Sequence, residues 1–186
     1  MADPSRDRDA LLAELEALHA EVDAAAGALV ARRPVRCGVG CTECCVDDLT
    51  IWTIEAARIR RGAAHLLAHG EPHPPLACAF LDPDGACRIY EQRPYVCRTQ
   101  GLPLRWWDRD CGGNVTEYRD ICPLNEECGP PVEQLAREDC WEIGPVEERL
   151  ASLQARFDGF AMERVPLRAL FAPASADQAQ QGEPEE

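Results

Sequence analysis

The sequence predicts a small, α-rich and irregular domain with little or no sheet, flanked by amphipathic helices. Three observations predict it. Bulky apolar residues concentrate toward the two ends of the 186-residue chain, at spacings of three and four. The middle is rich in Gly, Pro and charge, and cannot bury enough apolar surface to offset its chain entropy unless something crosslinks it. Eleven cysteines, all between positions 37 and 140, supply the means of crosslinking.

Residues 9–31 predict the first helix, with Leu11, Leu12, Leu15, Leu18, Val22, Ala25, Leu29 and Val30 on one face and acidic residues between them. Arg32, Arg33 and Pro34 end it. Residues 34–50 form a glycine-punctuated loop. A second helix is expected from Ile54 to His69, with Thr53 as N-cap, Glu55 in the first turn and Gly70 as its stop. Over 71–130 eight prolines leave room for short helical turns at most. Pro131 to Glu138 predicts a short helix, and Pro145 to Asp158 a longer one with Leu150, Leu153 and Phe157 on one face. Residues 173–186 hold no large apolar residue and predict a disordered acidic tail. The expected organisation is a helical segment over 1–33, a cysteine-rich domain over 34–130, a second helical segment over 131–172, and the tail.

Charge and compartment narrow the function. A net charge of −14 argues against nucleic acid or an anionic membrane as partner, since both select basic surfaces. The nineteen basic residues are all arginine, which excludes lysine Schiff-base and general-base chemistry. The charged N-terminus lacks the apolar stretch of a secretory signal, and no run reaches about 18 apolar residues. The expected compartment is the cytoplasm, where disulfides do not persist and a cysteine-dense chain is metal-binding or catalytic.

Four cysteines fall within nine residues, as Cys37-x3-Cys41-x2-Cys44-Cys45. Such spacing lets one loop place several soft thiolates around one centre, and these suit zinc, iron–sulfur clusters and copper(I). Gly38 and Gly40 allow the backbone to wrap closely. Adjacent cysteines usually point apart, so Cys44 and Cys45 are not expected on the same ion; one of them reaches a second metal or simply packs. Downstream lie Cys78, the string Cys87-Arg-Ile-Tyr-Glu-Gln-Arg-Pro-Tyr-Val-Cys97-Arg98, and Cys122-Pro123-Leu-Asn125.

In these blocks the sequence resembles the YkgJ-type, or CxxCxxCC, cysteine-cluster family, described as zinc- or iron-chelating. The likeness covers about residues 35–128, and the Cys87–Arg98 string is its most distinctive part. It departs at the start, where three residues separate Cys37 and Cys41 instead of two. The resemblance implies a metal-cluster domain with Cys37, Cys41, Cys44, Cys45, Cys78, Cys87, Cys97 and Cys122 as ligands, and names no reaction. Cys111, Cys128 and Cys140 are not placed by it.

Four thiolates on zinc or on a cubane cluster leave a net charge of about −2, so Arg93 and Arg98, and less so Arg88, are expected beside the sulfurs. Tyr90 is expected to pack. The compact first block with later single cysteines fits the paired knuckles of zinc poorly, whereas closely spaced cysteines with a remote Cys-Pro echo a ferredoxin. The expected cofactor is therefore an iron–sulfur cluster, with zinc as the alternative, in electron transfer or metal handling with an unidentified protein or redox partner. Two other classes remain. One is a zinc-stabilised structural or partner-binding module. The other is a thiol redox enzyme built on Cys41-Thr-Glu-Cys44, which lacks the βαβ context of such sites. The Cys-x3-Cys-x2-Cys spacing also matches a radical-SAM motif, without the repeated strand–helix units that chemistry needs. His65 and His69 lie four apart on one helix face, with no glutamate base between them, and are expected to face solvent.

Overall fold

The structure is a computed structural model that describes residues 4–33, 35–38 and 40–171. The expected acidic tail at 173–186 lies outside the described residues. Helices and turns dominate, with two small sheets between them.

Helix α1 spans Pro4–Arg32, five residues longer at its start than the apolar period predicts. It buries Leu11, Leu12, Leu15, Leu18, Val22, Ala26 and Leu29. Ala25 and Val30, expected on that face, point outward, because the steps of four and seven from Val22 fall on Ala26 and Leu29. Helix α6, Pro145–Asp158, packs on α1 with Leu150, Leu153 and Phe157 buried. The pairs Arg149–Glu21 and Arg156–Glu14 step in opposite directions along the two chains, so the helices are antiparallel. Gly159 ends α6 in the left-handed conformation (φ 65°), where a side chain would strain the backbone.

Strand β1, Thr50–Trp52, pairs antiparallel with β5, Arg164–Pro166, and runs directly into α2, Thr53–Gly62. Thr53 is thus the first helical residue, and Trp52 is the cap position. The donors of that first turn are satisfied from a distance: Gln154 of α6 accepts from the Ile54 N–H at 3.0 Å and donates to the Thr53 hydroxyl at 2.7 Å. The expected single helix to His69 breaks at Ala63, and α3 covers Ala64–His69. Pro131 to Glu138 likewise holds 3-10 turns at Val132–Gln134 and Arg137–Asp139 in place of one helix.

The segment expected to contain only helical turns carries α4 (Tyr95–Thr99), an antiparallel hairpin and α5 (Pro123–Glu126). Strands β2, Leu104–Arg109, and β3, Val115–Asp120, pair Trp106 with Tyr118, whose rings stack at 5.8 Å. Strand β4, Trp141–Glu142, adds to β2 in parallel. The hairpin is half exposed on both faces, so it shows neither the alternation of a one-sided strand nor the apolar run of a buried one.

Two apolar clusters form the interior. The first joins α1 and α6 to Ile54, Tyr95, Leu102 and Trp141. The second is made by Ile51, Ala56, Ile59, Phe80, Leu81, Ile89, Leu167 and Leu170, with Cys78 buried in it and Cys45 and Cys87 packed against it. The cysteine segment folds over this second cluster. Among the described residues no helix is long and apolar enough to cross a membrane.

Candidate metal centre

The first cysteine block is a pair of tight turns. The Cys41 N–H donates to the Gly38 carbonyl at 3.1 Å and the Cys45 N–H to the Thr42 carbonyl at 2.8 Å. Gly40 has φ 86°, a conformation that favours glycine and reverses the chain between Cys37 and Cys41. The block docks on the next cysteine through the Cys78 N–H, which donates to the Cys45 carbonyl at 2.8 Å.

Cys78 and Cys87 are folded together by Asp82-Pro-Asp-Gly. The Asp82 carboxylate accepts from the N–H groups of Asp84 (3.0 Å) and Ala86 (2.7 Å), closing a side-chain turn. An antiparallel bridge between Leu81 and Cys87 returns the chain. Cys97 stands on α4, whose start is tied to α2 by Glu55: its buried carboxylate accepts from the Tyr95 N–H at 2.8 Å and from the Trp52 N–H at 3.3 Å.

Seven of the eight expected ligands, Cys37, Cys41, Cys44, Cys45, Cys78, Cys87 and Cys97, line one cavity of about 450 Å³. Its remaining wall includes the apolar side chains of Leu49, Phe80, Leu81, Ile89 and Leu167. Cys122 does not line the cavity but is held beside Cys37 through Asn125. The Asn125 N–H donates to the Cys122 carbonyl at 2.8 Å, and its side-chain amide donates to the Cys37 sulfur at 3.2 Å and to the Gly101 carbonyl at 2.7 Å. Its side-chain oxygen accepts from the Arg36 N–H at 2.6 Å. Asn125 is 1 % exposed. Gly101, at φ 86°, is needed here twice over, since a Cβ would sit 2.3 Å from the Cys37 sulfur.

Among the described residues no three His, Cys, Asp or Glu side chains already converge closely enough to hold one ion. The donor chemistry nevertheless fits a soft metal: thiols surround a largely apolar cavity, and all eleven cysteines are free. Burial holds most of these thiols protonated, pushing the pKa of Cys37, Cys78 and Cys87 up and that of Cys97 to about 12. Cys44 is the exception. Its neighbour Cys45 holds the Cys44 thiol below the ordinary thiol range, and Cys45 is pushed up in turn.

The two arginines expected beside the sulfurs differ. Arg93 lines the cavity, lies 3.9 Å over the Tyr90 ring, and favours the thiolate of Cys87 by its charge. Arg98 is buried but turned away: its three nitrogens donate to the carboxylate of Asp23 on α1 and to the carbonyls of Arg93 (2.9 Å) and Glu91 (3.0 Å). It braces the loop that leads to Cys97, and oxygen partners satisfy it in place of sulfur. Arg88 donates to the carbonyls of Glu71 and Ala79. His65 and His69 stack on each other at 4.6 Å, are exposed, and do not line the cavity. Cys111, Cys128 and Cys140 lie outside it as well, Cys111 at the exposed hairpin tip and Cys140 buried next to β4. A second depression of about 370 Å³, between α1 and α6, is ringed by the Glu14–Arg156 and Glu21–Arg149 pairs and carries no thiol.

Asn125, Gly101 and Glu55 position the site without having been singled out for it in the sequence. Only the Cys-Pro-Leu-Asn string offered a signal, by setting Asn125 one helical turn from Cys122.

No curated protein and no solved structure matches this chain. Residues 36–123 match the model of the CxxCxxCC family, whose description reads "putative zinc- or iron-chelating domain". That span, just under half of the chain, contains every cavity-lining cysteine together with Cys122. The segment that carries the cavity-lining cysteines is therefore the part of the chain that is similar to the CxxCxxCC family.

Proposed function

We propose that this protein binds an iron–sulfur centre in the cysteine cavity and uses it for electron transfer to a protein partner. The observation that carries the reading is the gathering of seven thiols around one cavity of about 450 Å³. A zinc ion holds its sulfur ligands at about 2.3 Å and would fill little of a cavity of this size. Polynuclear clusters use four thiolates around a larger body, and their potential is set by burial and by hydrogen bonds to sulfur. The apolar wall supplies the burial, the Asn125 amide supplies one such bond, and Arg93 offsets negative charge. The strongly acidic surface favours a partner with a basic face over nucleic acid or anionic lipid.

The test is purification without oxygen, followed by iron, zinc and acid-labile sulfide analysis with the visible spectrum. Iron with equimolar sulfide and a broad absorption that bleaches with dithionite is the expected result. Colourless protein carrying zinc without sulfide would replace this reading with a zinc-held structural module.

A further inference from the structure

The β2–β3 hairpin has two unlike faces. Side chains alternate along a strand, so Arg105, Trp107 and Arg109 share one face with their partners Arg119, Glu117 and Val115. Charge on that face is balanced within the chain. Arg105 pairs with Glu142, Arg119 and Arg137 pair with Glu117, and Arg137 covers the Trp107 ring at 5.1 Å. The other face carries Leu104, Trp106 and Asp108 opposite Asp120, Tyr118 and Thr116. Leu104 packs on the first apolar cluster, whereas Trp106 and Tyr118 stack on each other and join neither cluster, and Tyr118 is 46 % exposed. An exposed carboxylate stands at each end of this ring pair. Among the described residues Asp108 and Asp120 bond only to backbone N–H groups, those of Arg109 and Ile121, at 2.8 Å each, and neither meets an arginine.

Two aromatic rings between two unpaired carboxylates lack a cation. We infer that this face of the hairpin is a docking site for an arginine-bearing segment of a protein partner. A guanidinium stacks on the faces of Trp and Tyr and bonds a carboxylate through two N–H groups at once, whereas an ammonium supplies charge without the planar fit. The net charge of −14 draws such a segment in and repels phosphate-bearing competitors. Asp120 lies opposite Leu104, so the two carboxylates stand about 13 Å apart along the strands, and an extended segment with arginines four residues apart meets both. The root of the hairpin sets this face beside the thiols. Strand β2 starts three residues after Gly101, which abuts the Cys37 sulfur, and β3 ends two residues before Cys122. On the reading above, on which this docking site rests, the partner is a protein with a basic face; the hairpin adds where it binds and through which side chain.

The probe is a fluorescein-labelled glycine–serine peptide with two arginines four residues apart, beside a twin in which citrulline keeps their shape without the charge. Fluorescence anisotropy reads binding to the full chain, to Asp108→Asn/Asp120→Asn, to Tyr118→Ser, and to Glu14→Gln/Glu21→Gln, which removes two exposed carboxylates from the α1–α6 surface instead. Circular dichroism checks folding. The unmodified chain is expected to bind the arginine peptide and not its twin. Affinity should fall about tenfold in the hairpin double variant and about threefold in Tyr118→Ser. The α1–α6 variant should lose less than about twofold at physiological salt. Should Tyr118→Ser disturb the hairpin, the double variant decides, since both its positions are exposed and keep their shape. No binding by the unmodified chain, equal binding of the citrulline twin, or equal weakening in the two double variants would overturn the docking site. Iron and sulfide analysis of the same preparation separates the two readings. Peptide binding by a protein without a redox centre would overturn electron transfer and keep the docking face, and a redox-active protein that ignores the peptide would overturn the docking face alone.

Discussion

Along α1 and α6, leucine, valine and phenylalanine recur every third or fourth residue and vanish into a shared apolar cluster. Residues 40–45, by contrast, bury no side chain at all, and their shape comes from turns, one left-handed glycine and a backbone bond to Cys78. The helical layer follows from ordinary hydrophobic burial, about 1.5–3 kcal/mol for each large side chain taken from water. The cysteine block has only the packing of Cys45 against the second apolar cluster, so under the proposed function its order depends largely on what its thiols bind. The two regions meet at polar contacts: Asp23 of α1 holds Arg98 on α4, and Glu55 of α2 holds the start of α4. The comparison teaches that the helices position the cysteine domain; under the proposed function, metal completes it.

The largest expected effect is metal removal. Structural metal in small cysteine sites contributes about 10–16 kcal/mol of apparent binding energy. Chelation of the loaded protein should therefore strip hydrogen-exchange protection from residues 37–45 and 78–97 while the amides of α1 and α6 keep theirs. Uniform loss across both regions would show one cooperative unit and erase the distinction. Next comes Phe80→Ala. Phe80 is fully buried under the cavity, and the substitution should cost about 3–5 kcal/mol in a denaturant titration. A cost near about 1 kcal/mol would mean that metal, more than the apolar cluster, holds the cavity floor.

Asn125→Ala sharpens the contrast within the site. It removes the amide that bonds the Cys37 sulfur and the acceptor of the Arg36 N–H. Metal affinity is expected to fall about 10–100-fold, as for other residues that orient ligands without touching metal. An unchanged affinity, measured by competition with a chromophoric chelator, would remove Asn125 from the site.

What the sequence made legible follows the same division. Helices α1 and α6 could be read because burial repeats at the helical period, and α6 has the expected bounds. The thiols could be found because several lie within one loop. The β2–β3 hairpin escaped because its strands are half exposed on both faces; Trp106, Trp107, Tyr118 and the Gly112-Gly113 turn were its only signals. Asn125 and Glu55 escaped as positioning residues because the contacts that matter here, Asn125 to Cys37 and Glu55 to Tyr95, span 88 and 40 residues of chain, and local spacing says little about a bond to a distant group. Arg98 was placed beside the sulfurs by sequence adjacency to Cys97, but a helix directs neighbouring side chains to different faces.

A smaller effect probes the junction by pH. His19 of α1 is 1 % exposed, and its Nε2 lies 3.6 Å from Glu55, too far for a hydrogen bond. Neither ring nitrogen has a hydrogen-bond partner. Burial lowers its pKa and outweighs the raising effect of Glu55, with Arg98 and Arg58 adding to the lowering. The unfolded chain then binds the proton more readily than the folded one. Stability is full above the ordinary histidine value of about 6.5 and falls as pH drops below it. His19→Leu should flatten the stability profile between about pH 7 and pH 5 relative to the unmodified protein, the thiols being common to both. Parallel profiles would show that His19 is not protonated differently on folding.

The smallest effect belongs to the ion pairs across the α1–α6 surface. Arg149 and Glu21 meet at 2.7 Å, and both are more than half exposed. Solvent screens such pairs, and holding two long side chains in one geometry offsets the attraction. Arg149→Ala should therefore leave the thermal midpoint unchanged within error at physiological salt, and the metal content untouched. A clear drop in midpoint would mean that the helical layer depends on charge as well as on burial. The contrast drawn between the two regions would then be one of degree, since both would rely on polar groups to hold their elements in place.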